Sequence, residues 1–324
     1  MSAYAVESRR STWYTGEKHT RIMAFQNMIN MQLMMFLLVA IGFAIRRKGI
    51  ISGTTRKELV NFCLYITLPF NIFHSFQMEW DSSLLLAFAE VLLLSVGYNV
   101  LSILISFASW RKTESRRQKP LRYGTIVSNG GFLGNPVIEG IYGSEGLFYA
   151  SVFMLPVRIV MWSIGTSCFM KDSEGSLVKK VLTHPCVAAI YLGLAFMISG
   201  IEFPVFLENT ISGISSCNTP LSMMLVGMML AEMNPKGLID GTMVRYTVVR
   251  LIAIPAIVYA ITAFLPVTPL LRGITVIIAG MPAPITTALL SSKYNGDEDY
   301  ATGMIFLTTV LSLFTLPVWC YLLG

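Results

Sequence analysis

SNGGFLGNPVIEG, residues 128–140, carries four glycines, a proline, two asparagines and a glutamate in a chain apolar enough to live in a bilayer. In a helix interior, four glycines and a proline cost roughly 6–7 kcal/mol relative to alanine. A helix broken inside a membrane leaves bare backbone groups, each worth several kcal/mol in lipid. Such a break is tolerated where the freed groups face a cavity, other protein or a bound ligand. The stretch therefore reads as a broken helix at a binding site. The competing reading is a kinked helix whose glycines allow close packing.

Working outward, the 324 residues are 54% hydrophobic and 13% charged, with mean hydropathy +0.63, whereas about a quarter of residues are charged in ordinary soluble domains. The apolar residues come in runs of membrane-spanning length, which makes this an all-α polytopic membrane protein. Ten spans are expected near 26–45, 58–76, 83–107, 122–142, 146–169, 185–200, 206–231, 244–265, 271–292 and 300–323. Residues 1–24 form a polar N-terminal arm with none of the features of a signal peptide, and 170–184 a cytoplasmic linker between two five-helix units, 25–169 and 185–324.

Charge orients the spans. The net charge of +6 is concentrated in odd-numbered loops, as in Arg46, Arg47 and Lys48 after span 1 and Arg111 to Arg122 after span 3. Even-numbered loops hold Arg272 but mostly carboxylates such as Glu145, Glu202 and Glu208. The positive-inside rule then makes the odd loops cytoplasmic and places both termini outside. This distribution accounts for the basic balance without a nucleic-acid partner. Cys63, Cys168, Cys186, Cys217 and Cys320 lie in or beside apolar runs with no C-x-x-C spacing, which reads as packing, with no metal site or cofactor.

A shift of 151 residues brings the halves into register. Pro69 falls on Pro220, Tyr149-Ala150 on Tyr300-Ala301, and SNGGFLGNP from Ser128 on AGMPAPITT from Ala279. Because a unit of five spans is odd, its second copy enters the membrane from the opposite side. That predicts an inverted repeat with broken fourth and ninth helices and a site between them near the midplane. Half-helix N-termini there offer N–H donors and positive dipole ends to an anion.

These stretches also carry a resemblance. LVAIGFAIRRKGIIS, LYITLPFNIFHSF, SNGGFLGNPVIEGIYG, MPAPITTALLSSKYNGDEDYATGMIF and the closing SLFTLPV resemble the auxin efflux carrier family, in its short, prokaryote-type form. That family includes plant auxin exporters and bacterial carriers assigned to malonate or malate. The resemblance implies two inverted five-helix repeats with crossing broken helices, a scaffold and a moving transport domain. It also implies a carboxylate-binding asparagine beside the first crossover proline, for which Asn129 and Asn135 both qualify, with a second crossover at Met281–Thr287. A homodimer is compatible with it.

The expected substrate-binding set is Asn129, Gly130, Gly134, Asn135, Pro136, Arg158, Met281, Pro282, Pro284, Thr286 and Thr287, with Asn218 as a secondary candidate. Arg158 lies midway through span 5, where an arginine costs roughly 2.5–3.5 kcal/mol on insertion scales. It serves either as a clamp on a second substrate carboxylate or as a structural ion pair with Glu90 or Glu139. Glu139 is the candidate for a coupling proton, against a plain outer-rim carboxylate; sodium is the other candidate coupling ion. Arg250 reads as a snorkelling residue near the start of span 8. LSMMLVGMML reads as packing.

The expected function is a secondary carrier that moves a small organic anion, a mono- or dicarboxylate, across the plasma membrane by alternating access. A membrane sensor or a cation–proton antiporter on the same fold is the alternative. No Walker motif, His/Glu metal cluster or placed Ser-His pair points to ATP drive or an intramembrane enzyme.

Overall fold

The structure, a computed structural model, describes residues 30, 33–77, 83–169, 185–232 and 239–323, with backbone alone at 83–85 and 293. The expected arm at 1–24 and linker at 170–184 lie outside the described residues. All regular structure among the described residues is helical. In chain order it comprises α1 (33–47), α2 (Gly53–Phe62), α3 (Leu68–Ser75), α4 (Ser83–Ser109), α5 (Ser115–Ile126), α6 (Asn135–Val160), α7 (Pro185–Ser199), α8 (Val205–Ser216), α9 (Asn218–Glu232), α10 (Gly241–Val248), α11 (Ile254–Phe264), α12 (Pro269–Ala279), α13 (Thr286–Lys293) and α14 (Glu298–Leu323). Single π-turns join α2 to α3 at Cys63–Thr67 and α10 to α11 at Val249–Ala253, and another follows α6 at Met161–Gly165.

By length and composition, five helical stretches among the described residues could cross a membrane: Leu86–Ser109, Ser115–Gly165, Val205–Glu232, Gly241–Phe264 and Glu298–Leu323. Pro185–Ser199 and Pro269–Ala279 are shorter apolar helices. The 51-residue stretch holds two of the ten expected spans. The sixth and ninth expected spans hold only shorter helices, the ninth being divided into α12 and α13, and α1 to α3 at the first two expected spans do not reach that length and hydropathy. The two expected spans inside Ser115–Gly165 part at Gly143, whose φ of 67° and ψ of −159° only glycine adopts readily. Large apolar side chains such as Leu86, Leu93, Phe206, Phe264 and Phe314 point outward, the pattern of a bilayer-facing surface.

The sequence offset reappears in backbone and contacts. Gly49 and Gly200, also 151 positions apart, both have positive φ, of 71° and 62°. Thr67 Oγ1 donates to Asn218 Oδ1 at 3.2 Å, again a separation of 151. The helices pack as two groups. In one, α3 lies on α7 and α8, and α9 on α2; in the other, α4 lies on α5 and α6, and α12 on α6, α11 and α14. The opening half of α6 joins the groups, through α3, α7 and α9. Met223 and Met228 of the methionine-rich run lie in the main core, as expected of packing. Cys63, Cys186 and Cys320 are buried, but Cys168 is half-buried and Cys217, at the α8–α9 junction, is exposed.

Candidate functional site

The helix α5 ends at Ile126, and Val127 takes up an extended conformation. Residues 127–129 cross without helical bonding, a π-turn over Gly130–Gly134 reforms the coil, and α6 starts at Asn135. Gly130 lets Met154 pack closely, because a Cβ there would stand 2.8 Å from Met154 Sδ and the methionine would have to shift. The second break runs from Gly280, the C-cap of α12, to Ile285 before α13. The two breaks touch: Asn129 N–H donates to the Pro282 carbonyl at 3.0 Å. Ala283 N–H donates to Thr308 Oγ1 at 3.1 Å, so α14 supports the second break. Two half-helix C-termini and two half-helix N-termini therefore converge.

At the C-terminal ends sits Arg250, fully buried. Its Nε donates to the Met281 carbonyl at 2.8 Å, Nη1 to the Thr125 carbonyl at 3.0 Å and Nη2 to the Tyr98 hydroxyl at 3.1 Å. Thr125 is in the last turn of α5, whose carbonyls lack an internal partner, and Met281 follows the cap of α12, so its carbonyl belongs to the non-helical break itself. The expectation that Arg250 snorkels is overturned. Asp240 caps α10 by accepting from Met243 N–H at 2.8 Å, so the helix begins at Gly241 rather than near 244. At about 1.5 Å per residue, position 250 then lies about 14 Å along the helical stretch, and its guanidinium is turned inward onto the two breaks.

The N-terminal ends carry buried polar atoms with no partner: Ser128 Oγ, both amide atoms of Asn135 and Thr287 Oγ1. Each such atom costs about 1–3 kcal/mol unless something occupies it. Thr287 lies in the first turn of α13, on the positive end of its dipole, and Asn135 lies one turn into the coil that begins at Gly130, donating its own N–H to the Gly130 carbonyl. Asn129 is also buried, with its backbone engaged by Pro282, Leu133 and Gly134. Pro136 starts α6 beside Asn135, and Gly134 approaches Met281, whose Cγ would stand 3.3 Å from an added Cβ. Pro284 accepts from Thr287 N–H at 3.0 Å. Thr286 is turned away, sharing a 2.8 Å hydroxyl–hydroxyl bond with Tyr123. Ser128 and Tyr98 were absent from the expected set.

Arg158 is buried beside the first break, with Nη2 3.7 Å from where a Cβ on Gly131 would stand. Glu139 is engaged elsewhere. Its Oε1 accepts from Asn71 Nδ2 at 2.8 Å and its Oε2 from Thr219 Oγ1 at 2.9 Å. Asn71 also donates to Ser215 Oγ at 3.1 Å and accepts from Asn218 Nδ2 at 3.2 Å. The structure thus assigns Asn218 to a polar seam between α3 and α9, apart from the crossover, and Glu139 bridges that seam to α6. A cavity of about 380 Å³ opens between α4 and α11, lined mainly by apolar groups with Glu90 and Tyr98 among them.

A family model described as "Membrane transport protein" matches residues 28–180 and 175–320, nearly the whole described chain. The chain belongs to that family. It is a transport family in which the resemblance to auxin efflux carriers finds its place. Among curated relatives, an "uncharacterized transporter" of Methanothermobacter thermautotrophicus is 28% identical over 306 residues, covering 93% of this chain and 100% of the relative. Another, from Methanocaldococcus jannaschii, is 26% identical over 303 residues, covering 90% and 97%. A mouse "lysosomal cholesterol signaling protein" is 26% identical over 216 residues, covering 60% of this chain but 24% of that larger protein. This membrane transport family member is thus a multi-pass helical protein whose two helix breaks meet in its interior.

Proposed function

We propose that this protein is a secondary carrier for a small organic anion carrying one or two carboxylates, working by alternating access across the plasma membrane. One observation carries the reading: around the two breaks, Ser128, Asn135 and Thr287 hold buried polar atoms without partners. Donors and positive helix ends gathered in a water-poor site suit a carboxylate. Asn135 is the substrate asparagine in this reading, and Asn129 braces the break. Arg158, next to Gly131, takes the second carboxylate of a dicarboxylate through its planar fork. Glu139 carries a coupling proton between the two helix groups.

The architecture behind this reading is ten spans in two inverted five-helix repeats, with odd loops cytoplasmic and both termini outside. The recurring 151-residue separation supports it, in Gly49 with Gly200 and in Thr67 with Asn218. Single cysteines at Gly53 and Val205 test the orientation: a membrane-impermeant maleimide should label 205 in intact cells and 53 only after permeabilisation.

Purified protein in proteoliposomes tests the function. Malate, malonate and auxin-like monocarboxylates should flow down imposed gradients, and loss of flux for all of them under every pH and sodium gradient would refute the carrier. A second reading, a lipid-responsive membrane receptor, is favoured by the apolar cavity at Tyr98 and the partial likeness to the mouse signalling protein. Sterol binding without anion flux would select it.

A further inference from the structure

We propose that Arg250 is a built-in cation of the crossover, filling the position that a coupling sodium ion would otherwise take. In inverted-repeat carriers, carbonyls released by helix breaks and half-helix C-terminal ends are the groups that bind sodium. Here two such carbonyls, of Thr125 and Met281, come from different breaks, and one guanidinium takes both at 3.0 and 2.8 Å. The Tyr98 hydroxyl completes the shell at 3.1 Å. Among the described residues no carboxylate stands within ion-pair distance of Arg250, so its charge is balanced by the negative ends of α5 and α12. Neutralising those two ends leaves the positive ends of the two following half-helices, at Gly130 and Thr286, unopposed. Arg250 is therefore a positioning residue that fixes the crossover and biases it toward anions, and the crossover needs no sodium.

This inference deepens the carrier reading, but its test requires no transported substrate, so the two can fail separately. The thermal unfolding midpoint of the purified full-length protein is measured in equal concentrations of sodium and choline chloride. The parent protein should give the same midpoint in both. Arg250→Ala should unfold about 5 °C lower or more, and should regain most of that loss in millimolar guanidinium chloride or in sodium chloride over choline chloride. A guanidinium or sodium response is the signature of an emptied cation site, which mere loss of packing would not produce. Arg250→Lys and Arg250→Met serve if the alanine variant does not fold: the lysine variant, which keeps a cation, should be the more stable. Stabilisation of the parent by sodium over choline overturns the proposal. So does a folded Arg250→Ala protein that keeps the parent midpoint or answers neither cation, or a methionine variant at least as stable as the lysine variant.

Discussion

Asn135 begins α6 fully buried, with neither its amide oxygen nor its amide nitrogen bonded, while the backbone of Asn129, six residues earlier, donates to Pro282 of the opposite break and accepts from Leu133 and Gly134 of its own. If Asn135 exists to meet a carboxylate, Asn135→Ala removes a binding group and also the desolvation cost of leaving it unpaired. The expected result is a fold at least as heat-stable as the parent and anion affinity lowered by 10-fold or more, read by equilibrium binding and thermal melting. Asn129→Ala should spare more of the affinity. Arg158→Gln should weaken a dicarboxylate by at least 10-fold and a monocarboxylate far less; equal effects on both would remove Arg158 from substrate recognition. Both asparagines were visible in the sequence. What the sequence did not show is that both amide atoms of Asn135 are fully enclosed without a partner, because that enclosure is made by segments distant in the chain.

Breaks and turns are the elements on which this protein depends, and most were legible as glycine and proline clusters. SNGGFLGNP and MPAPITT both open helices in the structure, because neither sequence can continue an α-helical ladder. Gly143 separates the two helical segments merged in α6 with a φ of 67° and ψ of −159°. Gly143→Ala should therefore lower stability by about 1–3 kcal/mol, measurable as a fall in the unfolding midpoint without loss of helical circular dichroism. The boundary of α10 was less legible. A capping aspartate at 240 starts that helix about a turn earlier, and Arg250 turns inward onto the carbonyls of both breaks instead of out to an interface.

For the whole molecule, contacts between the two helix groups concentrate on α6, and Glu139 is its polar link to Asn71 and Thr219. If the groups rock against each other during transport, those two hydrogen bonds must break in each cycle. A hydrogen bond to a charged group contributes about 1.5–3 kcal/mol, so Glu139→Ala should shift the resting population by roughly 10-fold or more toward the state open on that face. The expected readout is faster maleimide labelling of a cysteine placed at Ile211, and unchanged labelling would remove Glu139 from the latch. Glu139→Gln, which keeps acceptor and bulk, should lie between the two.

The sequence by itself determined the membrane class, the two broken segments and the 151-residue spacing, because these follow from apolar run length, helix-breaking residues and internal similarity, all local or periodic properties of the chain. Only the tertiary structure decided how the polar groups are shared out. Arg250 goes to the carbonyls of two breaks, Glu139 to a seam on α3 and α9, and Asn135 is left open at a helix start. The physical reason is that a buried charge or amide is satisfied by whatever acceptor folding brings within 3 Å, and sequence spacing does not fix that encounter. SNGGFLGNPVIEG announced that a helix would break; the carbonyl arriving from residue 282 joined that break to the second one.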